Sequence, residues 1–154
     1  MSYYERVAST FVDGSPVFKS GEDERNEGTV AGEIERLWGC EARSFGKLAP
    51  VDWWFSRHGR VVGVGELKSR AHPHTKYPTV FLNVRKWLAL MLAANGMGVP
   101  AVFVVKFIDG TRWIPISEID ASKISVGGLS RIVKSRNDIE PVIEVPVTEM
   151  RKME

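Results

Sequence analysis

Residues 50 to 68 read PVDWWFSRHGRVVGVGELK, and this stretch decides the fold. Val, Trp and Phe dominate the sequence on both sides of residues 57–60, which predicts two β-strands joined by a hairpin turn. Gly59 suits that turn because it takes positive φ without a steric penalty. A hairpin that is symmetric about Gly59 places Asp52 directly opposite Glu66, since each lies seven residues from the glycine. A bulge in either strand would break this register.

The hairpin places three ionisable side chains, those of Asp52, Glu66 and Lys68, near one another on one face of the sheet. Side chains alternate along a strand, so Lys68 shares a face with Glu66. Two carboxylates that face each other across neighbouring strands repel, and this pair therefore needs a compensating positive charge. A hard cation such as Mg²⁺ or Mn²⁺ supplies that charge and can activate water for attack on a phosphodiester. Lys68 would then stabilise the developing negative charge or position the attacking water.

The segments around the hairpin predict a mixed sheet flanked by helices. Apolar residues at helical spacing indicate a first helix at about 23–38, whose inward face passes through Glu27 and Glu24. A strand at about 141–147 is assigned to a sheet edge because of its two prolines. The other expected elements are strands at about 42–45, 51–55, 60–67, 100–107 and 111–116, and a second helix that Asn83 caps and Asn95-Gly96 ends.

This order predicts a single α/β domain over residues 1–154. Its core would span about 23–116, with an N-terminal arm at 1–20 and a C-terminal extension at 117–154. No stretch has the roughly 20 apolar residues that a membrane span needs, so no membrane association is expected. The lone Cys40 is interpreted as a half-buried packing residue, and the protein is expected in the cytoplasm.

A family resemblance adds to this interpretation. Pro50-Val51-Asp52, followed after thirteen residues by Glu66-Leu67-Lys68, resembles the motif of the PD-(D/E)XK nuclease superfamily. The order helix, three strands, helix, strand resembles its restriction-endonuclease-like core, and the match spans about 23–116. The segment at 76–79, before a helix with Lys86-Trp87, is similar to small phage-encoded and prophage-encoded nucleases. Val51, between the proline and the aspartate, departs from the strict motif.

The resemblance implies an activity and roles for residues. It implies a metal-dependent nuclease that hydrolyses DNA, in a prokaryotic or phage-infected cell, with RNA left open as a substrate. Asp52, Glu66 and the Leu67 backbone carbonyl would bind Mg²⁺ or Mn²⁺, Lys68 would be the catalytic lysine, and Glu27 would be the glutamate of the first helix. Glu24 and Glu33 remain alternatives to Glu27. Small nucleases of this type often act as dimers, so a homodimer is one assembly that the resemblance implies.

The charge pattern is consistent with a nucleic-acid partner. The net charge is only +2, but residues 53–88 hold seven bases and one acid, Glu66. Candidate phosphate contacts are Arg70, Lys76, Arg85 and Lys86. Lys86 stands out, because a cation near the start of a helix opposes the helix dipole and usually has another use.

Several residues have plainer interpretations, and the function has two rivals. His72 and His74 flank Pro73 and are interpreted as loop residues rather than metal ligands. The five tryptophans are assigned to core packing rather than base stacking. The rivals are an inactive nucleic-acid-binding module of the same fold, and a structural domain in which the ionisable triad forms only a salt-bridge network.

Overall fold

The structure of the protein is a computed structural model. It describes residues 11–12, 15–16, 21–46, 49–122, 124–127 and 140–154, with the backbone alone for 11–12, 15–16, 21–27 and 127. The predicted arm at 1–20 lies largely outside the described residues, apart from two short paired strands, β1 (Phe11–Val12) and β2 (Ser15–Pro16). No helix in the described part of the chain is long and apolar enough to cross a membrane.

The described elements follow the predicted order, with further short strands that the sequence did not predict. Helix α1 spans Gly21–Trp38 and is followed by strands β3 (Glu41–Ser44), β4 (Trp53–Arg57) and β5 (Arg60–Ser69). A strand that the sequence did not predict, β6 (Thr79–Asn83), precedes helix α2 (Val84–Met97). The remaining strands are β7 (Ala101–Phe107), β8 (Gly110–Pro115), β9 (Ile124–Gly127), β10 (Glu140–Pro146) and β11 (Arg151–Lys152).

A central mixed sheet separates two apolar clusters. Its described strands run in the order β11-β8-β7-β5-β4-β3, with β5 and β7 parallel and the other pairs antiparallel. Helix α1 covers one face, where Ile34 belongs to the same buried cluster as Leu67 and Val104. Helix α2 and an antiparallel sheet ordered β6-β10-β9 cover the other face, where Leu90 clusters with Ile143. The predicted restriction-endonuclease-like α/β architecture is confirmed.

The turn of the β4–β5 hairpin consists of two residues rather than one. His58 and Gly59 both have positive φ, 51° and 73°, and Arg57 pairs with Arg60. Positive φ at both central positions is the geometry that gives antiparallel strands their natural twist, which explains why a glycine stands here. The hairpin is therefore centred on the bond between His58 and Gly59.

A bulge in this hairpin sets the position of the two acidic residues. The register at the turn, continued without a break, would place Asp52 opposite Gly65. Instead β5 carries one extra residue, Val62, and beyond it Trp53 pairs with Gly65. The next position on the two strands is then Asp52 opposite Glu66. The predicted pairing of Asp52 with Glu66 therefore holds. The prediction that a bulge would break this pairing is wrong, because the bulge shifts the register so that these two residues face each other.

Helix α2 has different ends from those predicted. Asn83 stands at the N-cap position with an extended backbone, but its side chain makes no capping bond and donates to Glu140 instead. The pairing of β6 with β10 brings these two side chains together, and this contact replaces the cap. The helix continues past the predicted stop to Met97 and ends at Gly98, whose φ of 65° is left-handed.

Strand β10 lies inside its sheet, so its predicted edge position is wrong. It pairs with β6 on one side and β9 on the other. Pro146 pairs with Thr79 at the last position of the β6 ladder, and Pro141 lies just outside that ladder, which begins at Val142. Pro146 thus stands at a ladder end, where a missing N–H costs little, whereas Pro141 also pairs with Val126 of the neighbouring strand β9.

Candidate active site

Asp52 and Glu66 lie side by side where β4 and β5 diverge. The described β4–β5 ladder ends at the pair of Trp53 and Gly65, immediately before these two positions. Glu66 is buried, with 4% of its surface exposed, in a strand otherwise filled by apolar residues. Its Oε2 atom is buried and makes no hydrogen bond in the described part of the chain. A buried carboxylate oxygen without a donor is costly, so a further ligand of this site is expected.

Lys86 joins the two carboxylates. Its Nζ atom lies 2.6 Å from Asp52 Oδ1 and 3.6 Å from Glu66 Oε2. The side chain belongs to the first turn of α2, which packs on the sheet face that carries Glu66. The sequence singled out Lys86 as a phosphate contact, and that role stays a prediction. The structure instead places the ammonium group between the two acids.

The protonation of these groups is tightly linked. Burial, followed by a hydrogen bond and charge repulsion from Asp52, raises the pKa of Glu66 from 4.5 to about 8. Lys86 and Lys68 oppose this rise. Burial alone would lower the pKa of Lys86, but attraction to Glu66 and Asp52 outweighs it and raises that pKa overall. Burial and Asp52 therefore favour the protonated form of Glu66, and the two acids favour the charged form of Lys86.

Lys68 projects on the same face as Glu66, as the strand alternation predicts. Its Nζ atom donates to the backbone carbonyl of Phe81 in β6, at 3.4 Å. Burial lowers the pKa of Lys68, although the nearby Glu66 carboxylate partly offsets this effect. The unpredicted strand β6 thus supplies an anchor for the lysine of the motif.

The backbone carbonyl of Leu67 points towards the space beyond the end of the β4–β5 ladder, where Asp52 lies. The Val64 and Arg70 amides donate to carbonyls of Pro100 and Lys106 on the β7 side, at 3.0 and 2.8 Å. Peptide groups alternate along a strand, so the even-numbered residues of this part of β5 face β7 and Leu67 faces β4. The described β4 ladder has ended at this level. The Leu67 carbonyl is therefore directed to the side where Asp52 lies.

Of the three candidate carboxylates in the first helix, the structure describes the side-chain partner of one, Glu33. Glu33 accepts a hydrogen bond from the Thr111 hydroxyl, at 2.9 Å, and Thr111 belongs to β8 rather than to the hairpin. Glu24 and Glu27 both lie in α1, as predicted, but their side chains are outside the described residues. Of the two alternatives to Glu27, Glu33 therefore already has a different partner.

The other predicted phosphate contacts lie around this site. Arg70 is half-buried, and its guanidinium donates to the Ser69 carbonyl at 3.1 Å. Lys76 is exposed, with Nζ 5.4 Å from the centre of the Tyr77 ring. Arg85 is exposed and lies 3.8 Å from a Glu140 oxygen. These positions leave the cationic groups of Lys76 and Arg85 accessible to an anionic ligand.

The histidines after the motif have protein partners. His74 binds Asp109 through its ring Nδ1, at 2.6 Å, and through its backbone amide, at 3.0 Å. Arg112 lies 3.1 Å from His74 Nε2, which assigns the ring proton to Nδ1 because arginine can only donate. The His72 ring packs against Tyr77 and Phe107. Both histidines thus contribute to the local structure of the loop.

All five tryptophans are half-buried and border one of the two apolar clusters. Trp53 packs on the α1 side of the sheet and Trp54 on the α2 side, so the adjacent pair faces opposite ways, as side-chain alternation along a strand requires. Core packing is therefore the role that their contacts support.

The oxygen donors present fit a hard divalent cation. No cluster of three or more His, Cys, Asp or Glu side chains that could hold a metal is found among the described residues. Two carboxylates and the directed Leu67 carbonyl are nevertheless donors that Mg²⁺ and Mn²⁺ prefer. The buried Glu66 Oε2 atom has no hydrogen-bond donor in the described structure, as expected of an oxygen that binds an ion.

A mixed α/β sheet whose hairpin carries Asp52, Glu66 and Lys68 on one face resembles the core of the PD-(D/E)XK nuclease superfamily. The chain belongs to the family described as "Phage putative PDDEXK endonuclease", whose model matches residues 14–153. The fold is similar to that of Hjc, a Holliday junction resolvase from the archaeal hyperthermophile Archaeoglobus fulgidus. The TM-score is 0.54 at 16% identity, over 82% of this chain and 84% of that chain. No match was found among curated proteins.

Two features of the site were not predicted from the sequence. Lys86 was selected for its unfavourable position at a helix start, but nothing in the sequence indicated that it would pair with Asp52 and Glu66. The Phe81 carbonyl that binds Lys68 could not be found either, because β6 was assigned to a loop. The short apolar run Val80-Phe81-Leu82, bounded by Thr79 and Asn83, was the sequence signal for that strand.

Proposed function

We propose that the protein is a metal-dependent nuclease that hydrolyses phosphodiester bonds in DNA. The observation that carries this proposal is the buried Glu66 carboxylate beside Asp52, with one oxygen that makes no hydrogen bond in the described structure. Lys86 offsets part of the repulsion within this pair, and a bound Mg²⁺ or Mn²⁺ would offset it more strongly. Membership of a phage endonuclease family supports the same reaction.

Each side chain of the site has a role in this proposal. Asp52, Glu66 and the Leu67 carbonyl hold the divalent ion, with Glu27 as the predicted additional carboxylate. When bound, the ion supplies Lewis acidity towards the phosphate and the attacking water. Lys68, held by the Phe81 carbonyl, donates to the phosphate oxygen on which negative charge develops, or orients the water. Burial lowers the pKa of Lys68, which favours its role as a proton donor in this site.

The charge distribution supports a nucleic-acid substrate. Arg70, Lys76 and Arg85 contact phosphates on either side of the cleaved bond. DNA is favoured over RNA because the family is described as a putative phage endonuclease and the similar fold of Hjc is that of a Holliday junction resolvase. The protein acts in the cytoplasm of a prokaryotic or phage-infected cell, and a homodimer is the assembly that we propose by analogy with small nucleases of this type.

A cleavage assay tests the proposal. Supercoiled plasmid, single-stranded DNA and RNA are incubated with the protein in Mg²⁺, Mn²⁺ or EDTA. We expect DNA cleavage with either ion and none in EDTA, and a loss of at least about 100-fold for Lys68→Met and Asp52→Asn. Glu118→Gln is the matched control, since Glu118 is a surface carboxylate paired with Arg151 at 2.7 Å.

Each other outcome has a defined meaning. Cleavage that persists in EDTA, or that is equal in all variants, contradicts the proposed mechanism. DNA binding without cleavage in any ion would identify the inactive binding module instead. Neither binding nor cleavage would leave the salt-bridge network as the role of the triad.

A further inference from the structure

The ammonium group of Lys86 occupies the space that the proposed ion needs. It lies 2.6 Å from Asp52 and 3.6 Å from Glu66, and the side chains of all three residues are at least four-fifths buried. We propose that Lys86 is a displaceable counter-ion, which holds the two carboxylates together in the ion-free protein and leaves them when a divalent cation binds. This inference rests on the proposed function of the same site.

The carboxylates are what keeps Lys86 in this position. It is the third residue of α2, where the helix dipole disfavours a positive charge. Its side chain is only 20% exposed, which adds a desolvation cost. Its contacts with Asp52 and Glu66 offset both effects, so the position of the ammonium group depends on two acidic side chains that a cation can take from it.

A divalent ion and the Lys86 ammonium group cannot share these partners. A divalent ion held by Asp52 and Glu66 would compete for the acidic side chains that Lys86 contacts, Asp52 at 2.6 Å and Glu66 at 3.6 Å. The two cations would then lie within a few ångströms of each other in a site of low polarity, where like charges repel strongly. Binding of the ion therefore requires Lys86 to swing away.

Lys68 is not the residue that has to move. Its Nζ atom is anchored on the Phe81 carbonyl at 3.4 Å, on the β6 side of the site. The two lysines therefore have separate roles. Lys68 can stay beside the reacting phosphate, while Lys86 leaves the carboxylates when the ion binds.

Metal titrations of a charge-removing variant test this inference. Lys86→Met removes the ammonium group and keeps the apolar stem, and Lys86→Gln is a second variant that retains a hydrogen-bond donor for Asp52. Arg85→Met is the matched control, because it removes the neighbouring charge, which faces Glu140 at 3.8 Å. Binding of Mg²⁺ alone is measured by isothermal titration calorimetry at pH 8.5, where competition from the Glu66 proton is reduced.

We expect Lys86→Met to bind Mg²⁺ at least about tenfold more tightly than the wild type, and Arg85→Met to bind it within about twofold. Thermal unfolding gives a second readout. Without its counter-ion the variant should melt at a lower temperature in EDTA, and saturating Mg²⁺ should raise its melting temperature by more than that of the wild type. A crystal structure of the wild type with Mg²⁺ should show Nζ of Lys86 away from both carboxylates.

Unchanged or weaker Mg²⁺ binding by Lys86→Met and Lys86→Gln, with normal binding by the wild type, overturns this inference and leaves the proposed nuclease intact. So does a wild-type crystal in which Nζ keeps both contacts beside a bound ion. Absence of Mg²⁺ binding in the wild type contradicts the ion site itself, and therefore the proposed function as well.

Discussion

Trp53 pairs with Gly65 across the β4–β5 hairpin, one residue from each of the two carboxylates. A Cβ atom on Gly65 would lie 3.1 Å from the Phe55 ring and 3.1 Å from the Val102 carbonyl oxygen. Glycine at this position therefore allows β5 to approach both of its neighbours closely. The bulge at Val62 and this close approach together place Asp52 beside Glu66.

Gly65→Ala should destabilise the protein by about 1–3 kcal/mol, because the backbone carbonyl of Val102 cannot give way as a side chain can. Gly63→Ala is the matched control, since its Cβ would meet Phe55 and the Pro100 carbonyl at 3.3 and 3.4 Å, and it should cost less than about 1 kcal/mol. Urea unfolding monitored by tryptophan fluorescence gives both values. Equal losses for the two variants would refute the role assigned to Gly65.

The ion-free protein should lose stability as the pH rises towards 8. Glu66 has a pKa of about 8 in the folded protein against 4.5 in the unfolded chain, so the folded state holds an extra proton between these values. The free energy of unfolding should therefore fall by up to about 1.4 kcal/mol per pH unit from about pH 5 to 8, and this contribution should level off above it. Denaturant unfolding in EDTA at several pH values measures the slope.

Glu66→Gln provides the reference for that measurement, because it cannot titrate. The difference in unfolding free energy between wild type and variant should carry the pH dependence, and saturating Mg²⁺ should reduce it in the wild type. Parallel curves for the two proteins in EDTA would show that Glu66 does not hold the extra proton.

Lys76→Ala should weaken DNA binding without a change of sequence preference, because a phosphate contact carries no base information. The slope of log affinity against log salt should fall by about 1. Fluorescence anisotropy with a labelled duplex, in Ca²⁺ to prevent cleavage, measures this slope. Arg60→Ala is a suitable comparison, since Arg60 is exposed at the hairpin turn, at the opposite end of β5 from Lys68. An unchanged slope for Lys76→Ala would remove Lys76 from the proposed interface.

His74→Gln should leave Mg²⁺ affinity within about twofold of the wild type, because the His74 ring is already bound by Asp109 and Arg112. The expected change is instead faster hydrogen exchange in the loop at residues 70–78, since the contact to Asp109 ties that loop to the β7–β8 turn. Calorimetry and hydrogen exchange by mass spectrometry report the two properties separately. A large loss of Mg²⁺ binding would identify His74 as a ligand.

Local patterns were enough to predict most elements of the fold. The helical spacing of Val30, Ala31 and Ile34 places α1, and all three are buried in the structure. The continuous apolar run in β7 predicts a strand covered on both faces, and Val104 and Val105 do belong to opposite clusters. Patterns of this kind depend on neighbours within one element, which is why a single sequence suffices to find them.

Predictions that depended on a distant partner were wrong more often. Asn83 is a residue type that commonly caps helices, but its side chain donates a hydrogen bond to Glu140, 57 residues away. β10 has the prolines of an edge strand, yet β6 and β9 flank it. In both cases a long-range strand pairing decided the outcome, and no local rule contains that information.

By itself the sequence determined which chemical groups the site holds, because the hairpin between Asp52 and Lys68 needs only alternation and a short turn to bring them together. Only the tertiary structure decided how those groups are partnered. Packing of α2 and β6 against the sheet delivers Lys86 to the carboxylates and the Phe81 carbonyl to Lys68. The physical reason is that strand alternation acts between neighbouring residues, whereas these contacts exist only after the apolar core has brought separate elements together.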